Sequence, residues 1–270
     1  MKKHGIVDAL YLSFFSRDLY RDVATQWKGF GLVYLIAVLA LCTIPGVLRM
    51  QAELNAWQVD QAPSYIRQVP RVTITKGQLS VDAAEPYRIM NEKTGEPVVI
   101  IDTTGGTTSL DGSKAFALFT KSTLVIKKSE QESRTFNLSD LGGETIIIDR
   151  ASAYDLLDSF TDAFPIVIYP FVLILSSVLW SVLACVNTLV CSLYARRLSL
   201  SLSNSAVMRI SVMALTPALL ISAVLTTTGI TVPYWWTICV LGSAGYALYG
   251  IQANSRSQPQ DLSDNKIVGP

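Results

Sequence analysis

The sequence predicts an α-helical polytopic membrane protein with four transmembrane helices and a small β-rich extracytoplasmic domain inserted after the first. Three observations lead there. Charged residues are absent over three long intervals: Lys28 to Arg49, Asp162 to Arg196, and Arg209 to Arg256. Uncharged apolar stretches of about 18 or more residues read as bilayer-crossing helices. Between the first two intervals, short β-branched runs alternate with turn residues, which is a strand-and-hairpin texture. A soluble core would also bury such helices, but too little charged chain remains to cover them.

The N-terminal segment, 1–29, reads as amphipathic and cytoplasmic. In "LSFFSRDLYRDVATQWKG", Leu12, Phe15, Leu19, Val23 and Trp27 recur at helical spacing, while Arg17, Arg21 and Lys28 fall largely elsewhere. That pattern suits a helix lying on a leaflet or packed against the end of a bundle. The first span, 30–48, follows too long a leader for a signal peptide and lacks a small-residue cleavage site, so it is expected to be an uncleaved anchor.

The second span, 163–195, is 33 residues long. At 1.5 Å per residue it reaches about 50 Å, more than a hydrocarbon core of roughly 30 Å, so it must tilt or project. Pro165 and Pro170 allow a bend near its start. "TTTGITVP" then divides the last interval into spans 210–228 and 233–252. Four spans place both termini on one side. Lys2, Lys3, Arg17, Arg21 and Lys28, with Arg196, Arg197 and Arg209 of the 196–209 loop, assign that side to the cytoplasm. Residues 49–162 then face outward, and Tyr234, Trp235 and Trp236 suit the outer interface. A fifth span would carry Arg196 and Arg197 outside. The polar segment 253–270 reads as a disordered cytoplasmic tail.

In the outward domain, "RVTIT" faces "QLSV" across Lys76-Gly77, "PYRIM" faces "PVVIID", and "AFALFT" faces "TLVIKK". Each pair reads as an antiparallel hairpin, with "TIIID" as a further strand. "MQAELNAWQVDQ" and "ASAYDLLDSF" read as helical stalks.

Four segments, "FFSRDLYRDVATQWKGFGLVYL", "VTITKGQLSVDAAEPYRI", "VVIIDTTG" and "RISVMALTPALLI", resemble a bacterial membrane family catalogued as domain of unknown function 1189. The resemblance covers nearly the whole chain. It implies a multi-pass inner-membrane protein with an extracytoplasmic insert, distantly related in fold to Yip-type membrane proteins. It carries no activity and no catalytic residues.

The residues themselves narrow the chemistry. An aspartic protease needs Asp-Thr/Ser-Gly twice so that two carboxylates share a proton. Here Asp102 stands in a single Asp-Thr-Thr-Gly, so it is expected to cap a turn, with Gly105 and Gly106 at positive φ. The sole histidine, His4, lies far from the outward domain, which excludes His-dependent triads and His-ligated zinc there. A Ser–Lys pair drawn from Ser113, Lys114, Lys121, Ser122, Lys127 and Lys128 stays open. So does a carboxylate pair drawn from Asp82, Glu85, Glu92, Glu96 and Asp102.

Cys42, Cys185, Cys191 and Cys239 all lie in uncharged intervals, against a disulfide framework or thiolate metal site. The near-neutral net charge of +1 gives no basis for a nucleic-acid partner.

No ionisable residue is expected inside a span, which argues against an ion-coupled pump. Ser176, Ser177, Ser181, Asn187 and Thr188 form a polar stripe along span two, and Thr216-Pro217 is expected to kink span three. Gly242, Gly245 and Gly250 offer close helix approach. No catalytic residue, cofactor or metal is expected. The positions singled out for structure or interaction are Trp27, Asp102, Gly105, Gly106, Asn187, Thr216 and Pro217. The expected function is that of a non-enzymatic scaffold, accessory or regulatory subunit bound to the bilayer and to an envelope protein, with homo-oligomerisation open. A transport or lipid-handling component and a membrane-bound hydrolase are the alternatives.

Overall fold

The computed structural model describes residues 5–29, 31–129, 132–142, 144–200 and 202–255. His4 and residues 256–270 of the expected tail 253–270 lie outside the described residues, whereas 253–255 are helical and not part of a tail. The chain is mostly helical, with a β-sheet domain, and divides into two compact units. One takes residues up to Met50 and from Pro165 onward; the other is Gln51–Phe164.

The first unit holds the helices α1 (Ile6–Leu12), α2 (Arg17–Thr25), most of α3 (Leu32–Asp60) and of α5 (Arg150–Arg197), and all of α6 (Asn204–Thr228) and α7 (Trp235–Ser255). Among the described residues, α3, α5 and α6 are long and apolar enough to cross a membrane. The α7 helix has 21 residues but carries Trp, Tyr, Gly, Gln and Asn along its length, and it does not join them.

The N-terminal segment differs from a single amphipathic helix. It breaks between Leu12 and Arg17, where Ser16 starts α2 by accepting the Leu19 N–H. Leu19, Tyr20 and Val23 of α2 then enter the main apolar core with α6 and α7, while Phe15 is exposed. The expected loop 196–209 is also shorter: α5 runs to Arg197 and α6 begins at Asn204, capped by Ser203. Both helices continue uninterrupted through Pro165, Pro170 and Pro217.

Close helix approach falls on one of the three glycines. A Cβ on Gly250 would stand 2.6 Å from both Ile210 Cγ2 and Tyr20 Cδ1, whereas Gly242 and Gly245 have nothing within 4 Å. Gly250 therefore sets the depth at which α2 and α6 seat against α7.

The second unit adds α4 (Ala62–Ile66) and eight short strands. The strands β1 (Val72–Thr75), β2 (Gln78–Val81) and β8 (Ile146–Ile148) form an antiparallel sheet of order β2-β1-β8. At its first turn Lys76 and Gly77 both have positive φ, and a Cβ on Gly77 would lie 2.7 Å from Ser139 Cα. The strands β3 (Tyr87–Met90), β4 (Pro97–Ile101), β5 (Ala117–Phe119), β6 (Thr123–Lys127) and β7 (Ser133–Asn137) form the second sheet in that order.

The three hairpins read from sequence are present, but β4 and β5 pair in parallel. The connection 102–116 is long enough to cross over, as a parallel pair requires. It places β4 inside the sheet and buries both its faces. Ile101 packs with Val72, Ile74, Leu79 and Leu138, while its neighbour Ile100 packs with Leu110, Ala115, Leu118 and Val125. That is why "VVII" is continuously apolar rather than alternating.

The start of α5 is held by Asp149, which accepts the Ser152 N–H at 2.9 Å and its hydroxyl at 3.0 Å. The Ser152 N–H holds this carboxyl below its ordinary range. Within the same unit, Gln51 near the end of α3 donates to Thr161 O at 3.1 Å, and Gln58 donates to Asp158. These bonds tie the two helical arms together.

Gly250→Ala is expected to destabilise the protein by about 1–3 kcal/mol through overpacking, outweighing roughly 1 kcal/mol of improved helix propensity. Thermal unfolding of the purified full chain in detergent reads this. An unchanged or raised midpoint would show that the α2–α7 contact is loose.

Candidate functional site

Strand edges carry backbone donors and acceptors that a sheet must cover or leave available. The two edges of the five-stranded sheet are treated differently. At β3, Gln68 takes the place of a neighbouring strand. Its Oε1 accepts the Met90 N–H at 2.8 Å, and its Nε2 donates to Met90 O at 3.0 Å. The Tyr87 hydroxyl fixes this arrangement by donating to Gln68 O at 2.7 Å.

At the other edge, β7 pairs only inward, through the register Thr123↔Asn137 to Lys127↔Ser133. All five of its residues are exposed, with Phe136 at 48%. Arg134 is exposed on β7, while Lys128, just past the end of β6, pairs with Glu132 at 3.1 Å. In the smaller sheet, β2 is anchored by Leu79 N–H to Lys121 O at 2.7 Å, while β8 forms the other edge with Ile147 exposed. Sequence reasoning did not find β7, because "SRTFN" lacks an apolar face to reveal a period.

Asp102 ends β4 and is 1% exposed. One carboxylate oxygen accepts the Thr104 N–H at 3.0 Å and its hydroxyl at 2.6 Å; the other accepts the Thr107 N–H at 2.6 Å. These bonds, the Thr104 hydroxyl first, hold its pKa at about 2, against an ordinary 3.8. Of the two glycines expected at positive φ, only Gly105 has it, at +86°. Gly106 is small for another reason: a Cβ there would lie 3.3 Å from the Asp102 carboxylate. The next residue, Thr103, is clasped by Glu85, which accepts from its hydroxyl at 2.8 Å and from its N–H. The other polar candidates are engaged locally: Lys127 donates to Ser113 O at 3.0 Å, and Lys114 pairs with Glu96.

In the helical unit, Asn187 of α5 is buried and donates to Ser243 Oγ of α7 at 3.0 Å. Thr216 bonds the Tyr34 hydroxyl of α3 at 3.0 Å, and Pro217 follows it in the buried face of α6. Trp27 stacks edge-on to Tyr34 at 5.4 Å and bonds Asp22 at 3.4 Å. These residues join helices rather than converge on one point.

One further residue matters, Arg209, which the sequence places in the 196–209 loop. Arg209 lies inside α6, 8% exposed. Its guanidinium donates to Val23 O at 2.9 Å, Ala24 O at 2.6 Å and Gly29 O at 3.0 Å. Val23 and Ala24 belong to the last turn of α2, where carbonyls lack intrahelical partners and a cation is favoured. Arg209 stands one residue before the expected span 210–228, and α6 begins earlier than that span, so the helix carries this buried guanidinium in its first turns. It stands at the edge of its uncharged interval, and only the fold moves it inside.

A family described as "Protein of unknown function (DUF1189)" matches residues 7–251. No curated protein and no solved structure matches the chain.

The Asp102 bonds give a pH dependence with a definite sign. Its folded pKa lies below the ordinary value, so the unfolded chain binds the proton more readily. The stabilisation is complete above pH 4 and is lost as pH falls toward 2. Asp102→Asn is expected to cost about 1–3 kcal/mol at pH 7, by leaving buried donors without acceptors, and to flatten the acid limb of the stability profile. Urea unfolding between pH 7 and pH 3 checks both; an identical acid limb in the variant would remove Asp102 as its cause.

Proposed function

The chain belongs to the family of unknown function DUF1189, and on that premise we propose that it is a non-enzymatic accessory or scaffold subunit in the bacterial cytoplasmic membrane. In this reading α3, α5, α6 and α7 are four spans, both termini are cytoplasmic, and residues 49–162 face outward. The 196–209 arginines and the basic N-terminal segment support that orientation. The exposed apolar side chains of α5 support a lipid or protein environment around it; Ile166, Phe171, Ile174, Val178, Val182 and Leu189 are among them.

The observation that carries the function is the asymmetry of the five-stranded sheet. One edge is closed by Gln68, while β7 is fully exposed along its length. An open edge recruits an extended segment of another protein through backbone hydrogen bonds, with side chains setting specificity. Arg134, exposed on β7, favours a segment that brings an acidic residue to it. The partner is therefore an envelope protein with an exposed acidic strand or linker.

Two measurements test this. For orientation, Lys128→Cys is expected to react with a membrane-impermeant maleimide in intact cells, and Arg197→Cys only after permeabilisation; the reverse pattern would invert the topology. For the edge, a photocrosslinking amino acid at Phe136 is expected to capture one reproducible envelope protein, and Thr135→Pro is expected to abolish the adduct by removing a strand N–H. Equal capture from a crosslinker at Tyr65, on α4 rather than β7, would sink the edge reading.

A further inference from the structure

The helical unit contains a cavity of about 540 Å³ to which α3, α5, α6 and α7 each contribute. Its walls are Trp180 of α5, Trp235 and Trp236 of α7, and the end of α6 with the following turn Gly229–Val232. Trp180 and Trp236 lie 5.6 Å apart with rings inclined at 34°, forming one continuous aromatic wall. Trp235 is fixed by donating its indole N–H to Ser222 Oγ at 2.9 Å. Arg49 of α3 is the one Lys, Arg, Asp or Glu among the described lining residues.

The position of Arg49 is set by the fold. Its Nη1 donates to Thr226 O at 3.2 Å, at the carbonyl-rich end of α6. That approach needs Gly229: a Cβ there would stand 2.8 Å from Arg49 Nη1, and the residue has φ +74°. Glycine ends α6 in the left-handed conformation and leaves room for the guanidinium. Trp235 and Trp236, which line the same space, begin α7, whose N-terminus carries a partial positive charge.

A guanidinium and a helix N-terminus at one space select an anion. A fork of five N–H donors fits tetrahedral phosphate oxygens. The aromatic walls select an apolar group attached to that anion, and the volume falls in the usual range for a small-molecule site, roughly 300–1,000 Å³. The cavity also lies at the end of the bundle where tryptophans cluster, as they do at membrane interfaces.

We propose that this cavity binds the phosphate-bearing headgroup of an anionic amphiphile, with Arg49 and the α7 terminus holding the phosphate and the tryptophans holding the adjoining apolar part. The lipid source of that phosphate rests on the membrane reading above.

The test uses the full chain in an uncharged maltoside detergent. Three of its five tryptophans line the cavity, so intrinsic fluorescence reports occupancy. Dioctanoyl phosphatidylglycerol, dioctanoylglycerol and inorganic phosphate are titrated separately, and phosphate is then tested as a competitor. Saturable binding of the phospholipid but not of the neutral diacylglycerol is expected. Arg49→Gln is expected to weaken it by about tenfold or more, the loss of a charged hydrogen bond.

Gly229→Ala, which displaces the guanidinium, and Trp236→Ala, at an exposed ring, are expected to weaken binding as well. They keep the test decisive if Arg49→Gln fails to fold. Competition by phosphate would support the site with a soluble phosphate as its source; absence of competition would support the lipid headgroup. Equal binding of the diacylglycerol, wild-type affinity in a folded Arg49→Gln, or no saturable binding would overturn the proposal. Alkaline carbonate extraction of native membranes separates the two readings. Release of the protein would refute membrane insertion, whereas retention with no phospholipid binding would refute the cavity assignment alone.

Discussion

A guanidinium taken out of water must find acceptors, and that requirement organises one end of the helical unit. Arg209 cannot be neutralised, so its donors must be met where it sits. The last turn of α2 has the complementary need, because its carbonyls have no partners within the helix. Joining the two fixes α2 against α6, and the remaining contacts follow. Tyr20 reaches full burial beside Gly250, its hydroxyl donates to Ser13 O at 2.9 Å, and Arg21 donates to Ala253 O at 2.8 Å. The short N-terminal helix thus becomes part of the core rather than an ornament on it.

The second unit solves a different problem with the same economy of polar groups. A small β domain has four free sheet edges and little area with which to bury them. One edge is met by a glutamine side chain, another by a backbone bond to the β5–β6 turn, and the crossover after Asp102 puts the apolar strand β4 inside its sheet. What remain open are β8 and β7, and the polar composition of β7 keeps it soluble while unpaired. In the proposed reading, Arg134 would make it a selective surface for a segment carrying an acidic residue. The two proposed surfaces of the protein therefore each present an arginine and differ in geometry, one a strand edge and the other an aromatic-walled cavity.

The sequence by itself determined the class of the protein and most of its elements. Charge-free intervals are long-range signals that survive any packing arrangement, so the long helices were legible, as were the three hairpins, whose turns are local chemistry. The tertiary structure alone decided the rest, and the physical reason is the same each time: a contact between distant residues leaves no trace in local pattern. Nothing near Arg209 announces that carbonyls some 180 positions earlier will receive it. Nothing in "SRTFN" shows that it will pair with β6 on one side only, and nothing near Arg49 shows that Gly229 will make room for it beside three tryptophans. Local propensity and hydropathy decide what each segment becomes; burial and hydrogen-bond satisfaction between segments decide which residues meet.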